Sequence, residues 1–400
     1  MREETKVCQI GLSYSEYAQG IITENIHKAL NENNIENYVL CIDRYDITDP
    51  NVICVESHLN NIIKRGLRKI FGKHQFAATL TTISLLKKLA NIKPDIIHIH
   101  NIHHLTINYI MLYKYIVRHN IKLVVTLHDM WPITGGCYHF SDIDCEEYRN
   151  ECKHCPKLPL YLDCPKKETY GNYVFKKNCY DRLAVKFVAV SDWVYNEVRN
   201  TYLRDFDVSV IKNPLNDIYG ITDNKDFFKD DNRTAGKKII LGVSNYWTDD
   251  KGLSDFYALH DLLDDSFCIV LIGTPPAEIP EKPNLVFYGK ISKASELRKA
   301  YNSADVFVHL SKAETFGMVI AEASACGTVT VGYDTTGMSE VINACHGISV
   351  SLGDIKGVYD AIYNICSNNK RLSYEQAAEI KKSFSADVMK DRYLKIYDDF

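Results

Sequence analysis

No stretch of this 400-residue chain approaches the roughly 18 consecutive apolar residues of a membrane-spanning helix, and the short apolar segment after Met1 lacks the core of a secretory leader. The expectation is a protein that stays in the cytoplasm. An excess of one charge is also missing. With 47 Lys and Arg against 51 Asp and Glu, the net charge of -4 offers no global basic field, so nucleic acid is not an expected partner and any anion site must be local. Short-period repeats and low-complexity tracts are absent, which excludes solenoids and disordered arrays. The loop after the first apolar run, Gly11-Leu-Ser-Tyr-Ser-Glu-Tyr-Ala-Gln-Gly20, is not G-x-G-x-x-G, which counts against a dinucleotide-gripping turn. Within it, Gly20 can either let backbone approach a phosphate or simply mark a helix start.

What is present suits two globular domains: 46% apolar and 24% charged residues over a length that allows two sizeable cores. Short β-rich runs alternate with helical patterns, the rhythm of βαβ units and parallel sheets. In the first half Lys6 to Leu12, Tyr38 to Ile42, Ile96 to His100, Leu123 to Leu127 and Lys186 to Val190 read as strands. Helical spacing falls at Gly20 to Asn31, Leu80 to Ala90 and Thr106 to His119. After Lys212-Asn-Pro214 a second series follows, at Lys238 to Gly242, Cys268 to Ile272, Leu285 to Tyr288, Val306 to Leu310 and Thr328 to Val331, with a helical pattern at Gly252 to Leu263. The expected division is residues 1–212, residues 213–385 and a terminal helix at 386–400, with a cysteine-rich insertion at about 132–165.

The most informative stretch is Glu314-Thr-Phe-Gly-Met-Val-Ile-Ala-Glu322, two carboxylates eight residues apart around Gly317. If a helix begins near Gly317, Glu314 lies on the entering loop and Glu322 inside the helix. Unpaired N–H groups at such a helix start favour a phosphate, and the carboxylates can accept hydrogen bonds from sugar hydroxyls. That combination suits a nucleotide sugar.

His128-Asp129 directly follows a predicted strand, where ligands of open α/β sheets bind. The imidazole can hydrogen-bond a sugar or handle a proton, and Asp129 can orient an acceptor hydroxyl. His98, His100, His103 and His104 compete for attention as core or lining residues, without the register of a metal cage. Thirteen cysteines are mostly scattered, as core thiols are, but Cys137, Cys145, Cys152 and Cys155 lie within nineteen residues and end in C-x-x-C, with Cys164 as a spare. Four soft ligands in a segment without its own apolar core suit structural zinc, while plain thiols or a redox pair remain open. Asn61 to Lys73 combines basic and apolar residues at near-helical spacing, which fits an anionic bilayer surface or an ordinary amphipathic surface helix.

The run from Ser311 to Val331 resembles the E-x7-E signature of retaining glycosyltransferases of family 4, which have the GT-B fold. His98-Ile-His-Asn101, Thr126-Leu-His-Asp-Met-Trp131, Thr134-Gly-Gly-Cys137 and Cys152-Lys-His-Cys-Pro156 look like that family's bacterial cell-surface polysaccharide branch. The resemblance implies two Rossmann-like doubly wound domains facing a cleft, with the last helix crossing back onto the first. It also implies transfer of a hexose-type sugar from a nucleotide-diphosphate donor to a saccharide or lipid-linked acceptor, with possible contact at the inner membrane and no catalytic cofactor. In that light Glu322 would bind the ribose, Glu314 the transferred sugar, and the backbone from Thr315 through Phe316 and Gly317 to Met318 the diphosphate. Retention is ascribed there to front-face attack with the leaving phosphate as base, so Glu314 takes a positioning role. Gly242 to Gly252 resembles the donor-diphosphate segment: Lys251 matches, whereas Asn245 stands where an Arg is common and Asp250 precedes the Lys. Asn lacks the charge to balance a departing diphosphate. Two other readings stay open, a nucleotide-sugar epimerase of the same fold and a catalytically weak sugar-nucleotide-binding module.

Overall fold

The computed structural model describes residues 5–15, 17–42, 48–71, 75–103, 106–143, 145–157, 162, 164–223, 225–278 and 280–400. It divides into two compact units, Met1–Asn213 with Asp387–Phe400, and Pro214–Ala386.

The first unit is built on a seven-stranded parallel sheet. Its strands are β1 (Val7–Gly11), β2 (Asn37–Cys41), β3 (Val52–Cys54), β4 (Ile96–Ile99), β5 (Lys122–Leu127), β6 (Val185–Ala189) and β7 (Asp207–Val210). Their order is β3-β2-β1-β4-β5-β6-β7, with Val7 opposite both Asn37 and Ile96. The second unit repeats the scheme with β8 (Lys238–Tyr246), β9 (Phe267–Thr274), β10 (Leu285–Phe287), β11 (Val306–His309), β12 (Thr330–Tyr333) and β13 (Ile348–Val350), ordered β10-β9-β8-β11-β12-β13. The central strands are apolar on both faces because helices cover both, as β1 and the first seven residues of β9 show by being wholly buried. In each sheet the strand order reverses beside the first strand, between β1 and β4 and between β8 and β11, and ligands of such sheets gather at the carboxyl ends there.

The predicted strands are present. Three further strands, β3, β7 and β13, escape the sequence pattern because they are sheet edges of three or four residues, partly exposed and too short for an apolar run to stand out. The predicted helix at Gly20 to Asn31 is the helix Tyr17–Glu32, so Gly20 sits within its first turn rather than ahead of it.

The last helix, Ala386–Asp398, places Met389, Tyr393, Ile396 and Tyr397 in a core cluster with Val7, Ile96, Val124 and Val188. Spacings of three and four residues put these side chains on one helical face. Two of them also carry hydroxyls to the sheet: Tyr397 Oη lies 2.6 Å from His98 Nδ1, and Tyr393 Oη 3.0 Å from Thr126 Oγ1. His98 is thus a buried anchor for the terminal helix, and burial keeps its pKa well below the ordinary value.

Candidate functional site

Because β8 and β11 are hydrogen-bonded neighbours, with Ile240 opposite Val306, the loops leaving their carboxyl ends are forced together. The Lys312 N–H donates to the Asp250 carbonyl at 2.9 Å, and Ser311 Oγ reaches the same oxygen at 3.3 Å. Those bonds bring Lys251 Nζ within 2.6 Å of Glu314 Oε1. Gly252 permits the approach, since its φ is +76° and a Cβ there would stand 2.2 Å from the Leu310 carbonyl oxygen.

Glu314 is fixed at its backbone as well. Its N–H donates to Thr336 Oγ1 at 3.0 Å, and its carbonyl accepts from Gly337 N–H at 2.9 Å. Thr336 adopts φ +49°, a left-handed conformation costly for a β-branched residue, so backbone strain is stored at the anchor of this glutamate. His309 Nε2 lies 3.6 Å from Glu314 Oε1, an ion-pair distance but longer than a hydrogen bond. Burial opposes ionisation of Glu314, yet the Lys251 ammonium and His309 outweigh it and hold the carboxyl well below the usual range.

Gly317, at φ +94°, caps the helix Met318–Ala325, and Thr315 and Phe316 are buried at its entrance. The structure therefore places the predicted residues from Glu314 to Met318 together at a helix start. Glu322 lies within that helix and accepts from the Tyr301 hydroxyl at 2.9 Å. Burial pushes its pKa up to about 7, while hydrogen bonds from Tyr301 and Tyr219 pull the other way. The two carboxylates, read alike from the sequence, thus differ in charge state near neutral pH. Tyr219, Tyr301, His309 and Thr336 carried no local motif, because each reaches the glutamates from a separate element. Asn245 is exposed at the end of β8.

In the first unit a second cluster forms at the carboxyl ends of β1, β4 and β5. Gln9 Nε2 donates to the Thr23 carbonyl at 3.2 Å, which turns Gln9 Oε1 toward His100 Nε2 at 3.0 Å. An amide oxygen only accepts, so His100 carries its proton on Nε2 and its Nδ1 accepts. His128 Nε2 lies 3.0 Å from that Nδ1 and must be the donor. His128 is therefore held as the Nε2–H tautomer, with Nδ1 an acceptor suited to a hydroxyl. Burial lowers its pKa to about 4, and that of His100 well below the ordinary value, so both are neutral at pH 7.

Asp129 is committed differently from the expectation that it orients an acceptor hydroxyl. Its Oδ2 lies 2.5 Å from His103 Nε2 and its Oδ1 accepts from the Trp131 N–H at 2.9 Å. Although burial opposes its charge, His103 and that N–H bring its pKa down to about 2. Gly20 likewise has an internal reason: a Cβ would meet Ser13 Oγ at 2.8 Å, and its carbonyl accepts from the Ser15 N–H. His104 lies outside the described residues.

The zinc expectation concerns four thiols that the insertion brings near one another. Cys137, Cys145, Cys152 and Cys155 are close enough to oppose one another's ionisation, and burial pushes the thiols of Cys137 and Cys152 up to about 12. Among the described residues, however, no group of three or more His, Cys, Asp or Glu side chains is arranged to hold a metal ion. Cys152 Sγ accepts from the Gly135 N–H at 3.1 Å, and Cys164 Sγ donates to the Gly135 carbonyl at 3.5 Å. A cation is already beside them. The fully buried Lys176 ammonium donates to the Trp131 carbonyl at 2.5 Å and lies 3.8 Å over the Trp131 ring, with Cys152, Cys164 and Cys137 nearby. A divalent ion held among these thiols would face the charge of this ammonium.

Two doubly wound units, the second with a lysine–glutamate pair beside a helix start at its switch point, define the GT-B class of α/β proteins. Sequence comparison specifies the family. A model of "Glycosyltransferase Family 4" matches residues 19–217 and one of "Glycosyl transferases group 1" matches residues 237–368, and the chain belongs to this glycosyltransferase family. It is 27% identical over 232 residues to the N,N'-diacetylbacillosaminyl-diphospho-undecaprenol alpha-1,3-N-acetylgalactosaminyltransferase of Campylobacter jejuni, covering 54% of this chain and 61% of that protein. It is 22% identical over 323 residues to the putative colanic acid biosynthesis glycosyl transferase WcaC of Escherichia coli, covering 76% and 75%. Among solved structures, sucrose-phosphate synthase from Thermosynechococcus elongatus superposes with a TM-score of 0.72 over 99% of each chain at 16% identity. HepE of Anabaena in complex with UDP-glucose gives 0.67 over 99% of this chain and 100% of that one at 14% identity. At these identities the structures share the fold.

Proposed function

We propose that this glycosyltransferase moves a hexose-type sugar, with retention, from a nucleoside-diphosphate sugar to a saccharide or lipid-linked acceptor during assembly of a bacterial cell-surface polysaccharide, on the cytoplasmic side of the membrane. The observation that carries the reading is the Lys251–Glu314 pair, 2.6 Å apart at the switch point of the second sheet and adjoining the helix start at Gly317. A diphosphate placed at that helix start would meet N–H groups and the Lys251 ammonium, which would balance charge developing on the leaving phosphate. Glu314, held ionised by Lys251, would orient the sugar hydroxyls; Glu322 would accept from the ribose. In the first unit, His128 Nδ1 would accept from a hydroxyl, and Asp129 would act through His103. Bacterial relatives named for a lipid-linked acceptor and for colanic acid support the choice of acceptor and setting.

The test is turnover of a panel of UDP- and GDP-sugars by the purified chain, with and without lipid-linked saccharide acceptors. Transfer or slow donor hydrolysis is expected, falling about 10²- to 10³-fold in kcat for Lys251→Ala. Interconversion of the donor without an acceptor would instead identify an epimerase, and saturable donor binding without any turnover would identify a binding module.

A further inference from the structure

Among the described side chains of the helix His58–Phe71, the buried one is a lysine. Surface helices ordinarily turn apolar residues inward and cations outward. Here Lys64 is buried and ion-paired to the equally buried Glu56 at 2.5 Å, with Thr81 Oγ1 donating to the same carboxylate oxygen at 3.0 Å. The opposite face presents Leu59 (65% exposed), Ile62 (54%) and Ile63 (36%) to solvent, interleaved with exposed Arg65 and Lys69. The elements that follow continue this surface. The 3₁₀ turn Gln75–Ala78 and the helix Thr79–Ile92 pack against the first helix and carry Phe76, Leu80 and Ile83 outward, with Lys87 next along the same stripe.

Six of the fourteen exposed large apolar side chains among the described residues fall between Leu59 and Ile83, so this is a patch rather than scatter. Charge decides what covers it. Residues 58–92 contain seven Lys and Arg and no Asp or Glu, in a chain whose net charge is -4. A protein interface core is typically depleted of lysine, whereas an apolar face rimmed by cations matches the acyl boundary and phosphates of an anionic bilayer.

We propose that the face formed by His58–Phe71, Gln75–Ala78 and Thr79–Ile92 docks the protein on an anionic membrane surface, with Leu59, Ile62, Ile63 and Phe76 entering the headgroup layer and Arg65, Lys69 and Lys87 meeting lipid phosphates. This extends the proposed function by saying where a membrane holding a lipid-linked acceptor is met, but the docking itself does not depend on turnover.

The experiment is sedimentation of the full chain with vesicles of phosphatidylcholine alone or mixed with phosphatidylglycerol, at low and high salt. Binding is expected on the anionic vesicles, weakened at high salt by screening. Leu59→Ser/Ile62→Ser, both at exposed positions, is expected to weaken it at least about tenfold. Arg65→Glu/Lys69→Glu is expected to weaken it about tenfold or more and to remove most of the salt dependence. Donor turnover in solution should be unchanged in both variants, which separates loss of docking from loss of catalysis. No binding of the unaltered protein to anionic vesicles, or equal binding by all three proteins, would overturn the proposal. So would a dimer in sedimentation velocity that the serine variant dissolves while vesicle binding stays absent, because the patch would then be a protein interface.

Discussion

Glu314 and Glu322 carry one functional group into opposite surroundings. Glu314 has a cation at 2.6 Å, whereas among the described residues Glu322 meets the phenolic hydroxyls of Tyr301 and Tyr219, so burial dominates and its pKa rises from an ordinary value of 4.5 to about 7. A carboxyl whose folded pKa is raised burdens the folded state as pH climbs: its contribution is intact below about 4.5, declines between there and about 7, and stays lost above. Glu322→Gln keeps an oxygen for Tyr301 and removes the charge. It is expected to raise Tm at pH 8 by about 6–12 °C, corresponding to on the order of 3 kcal/mol for a carboxyl moved from 4.5 to about 7, and to leave Tm at pH 4 unchanged. Calorimetry at both pH values checks this, and an equal shift at both would refute the electrostatic cause. The chain from Gln9 through His100 to His128 makes a separate prediction. With ¹⁵N-labelled histidine, His128 should show the two well-separated nitrogen shifts of a single Nε2–H tautomer, and Gln9→Leu should draw them together. Unchanged shifts in the variant would mean that Gln9 does not set the tautomer.

The local signals that sequence carries best belong to single elements. The apolar runs of β1, β4, β5, β8, β9 and β11 were legible because both faces of a parallel strand are buried, and Glu314 to Glu322 because spacing about a glycine implies a helix start. What joins elements was not legible. Lys251 meets Glu314 only because the turn Asp249–Lys251 is stitched to the loop after β11, and Gly252 is what lets the two backbones approach. Gly252→Ala is therefore expected to cost about 2–4 kcal/mol in denaturant unfolding, above the roughly 1 kcal/mol for a strained φ alone, and to weaken donor binding by displacing Lys251. Stability within about 0.5 kcal/mol of the parent would contradict the close approach. The helix His58–Phe71 shows the reverse limit: its amphipathic spacing was visible, but which face is buried depends on Glu56 and Thr81, which lie outside it.

At the scale of the whole chain, Asp387–Phe400 belongs to the first unit although the second unit separates it in sequence. Deleting it removes Met389, Tyr393, Ile396 and Tyr397 from the core and leaves His98 and Thr126 without their phenolic partners. Four large buried side chains at about 2–3 kcal/mol each approach the entire stability of a domain. The truncated chain is expected to lose the cooperative melting transition of the first unit and keep that of the second, read by calorimetry; two retained transitions would show the terminal helix to be dispensable. The sequence by itself determined the two doubly wound units, the terminal helix and the order of motifs along them, since these rest on periodicity and residue spacing that each segment carries alone. Only the tertiary structure decided the charge state of Glu322, the engagement of Asp129 by His103, the ammonium of Lys176 beside the cysteines and the outward-facing leucine and isoleucines of His58–Phe71. Each of these depends on burial and on partners contributed by distant segments, and a desolvated charge is governed by those neighbours rather than by its own residue type.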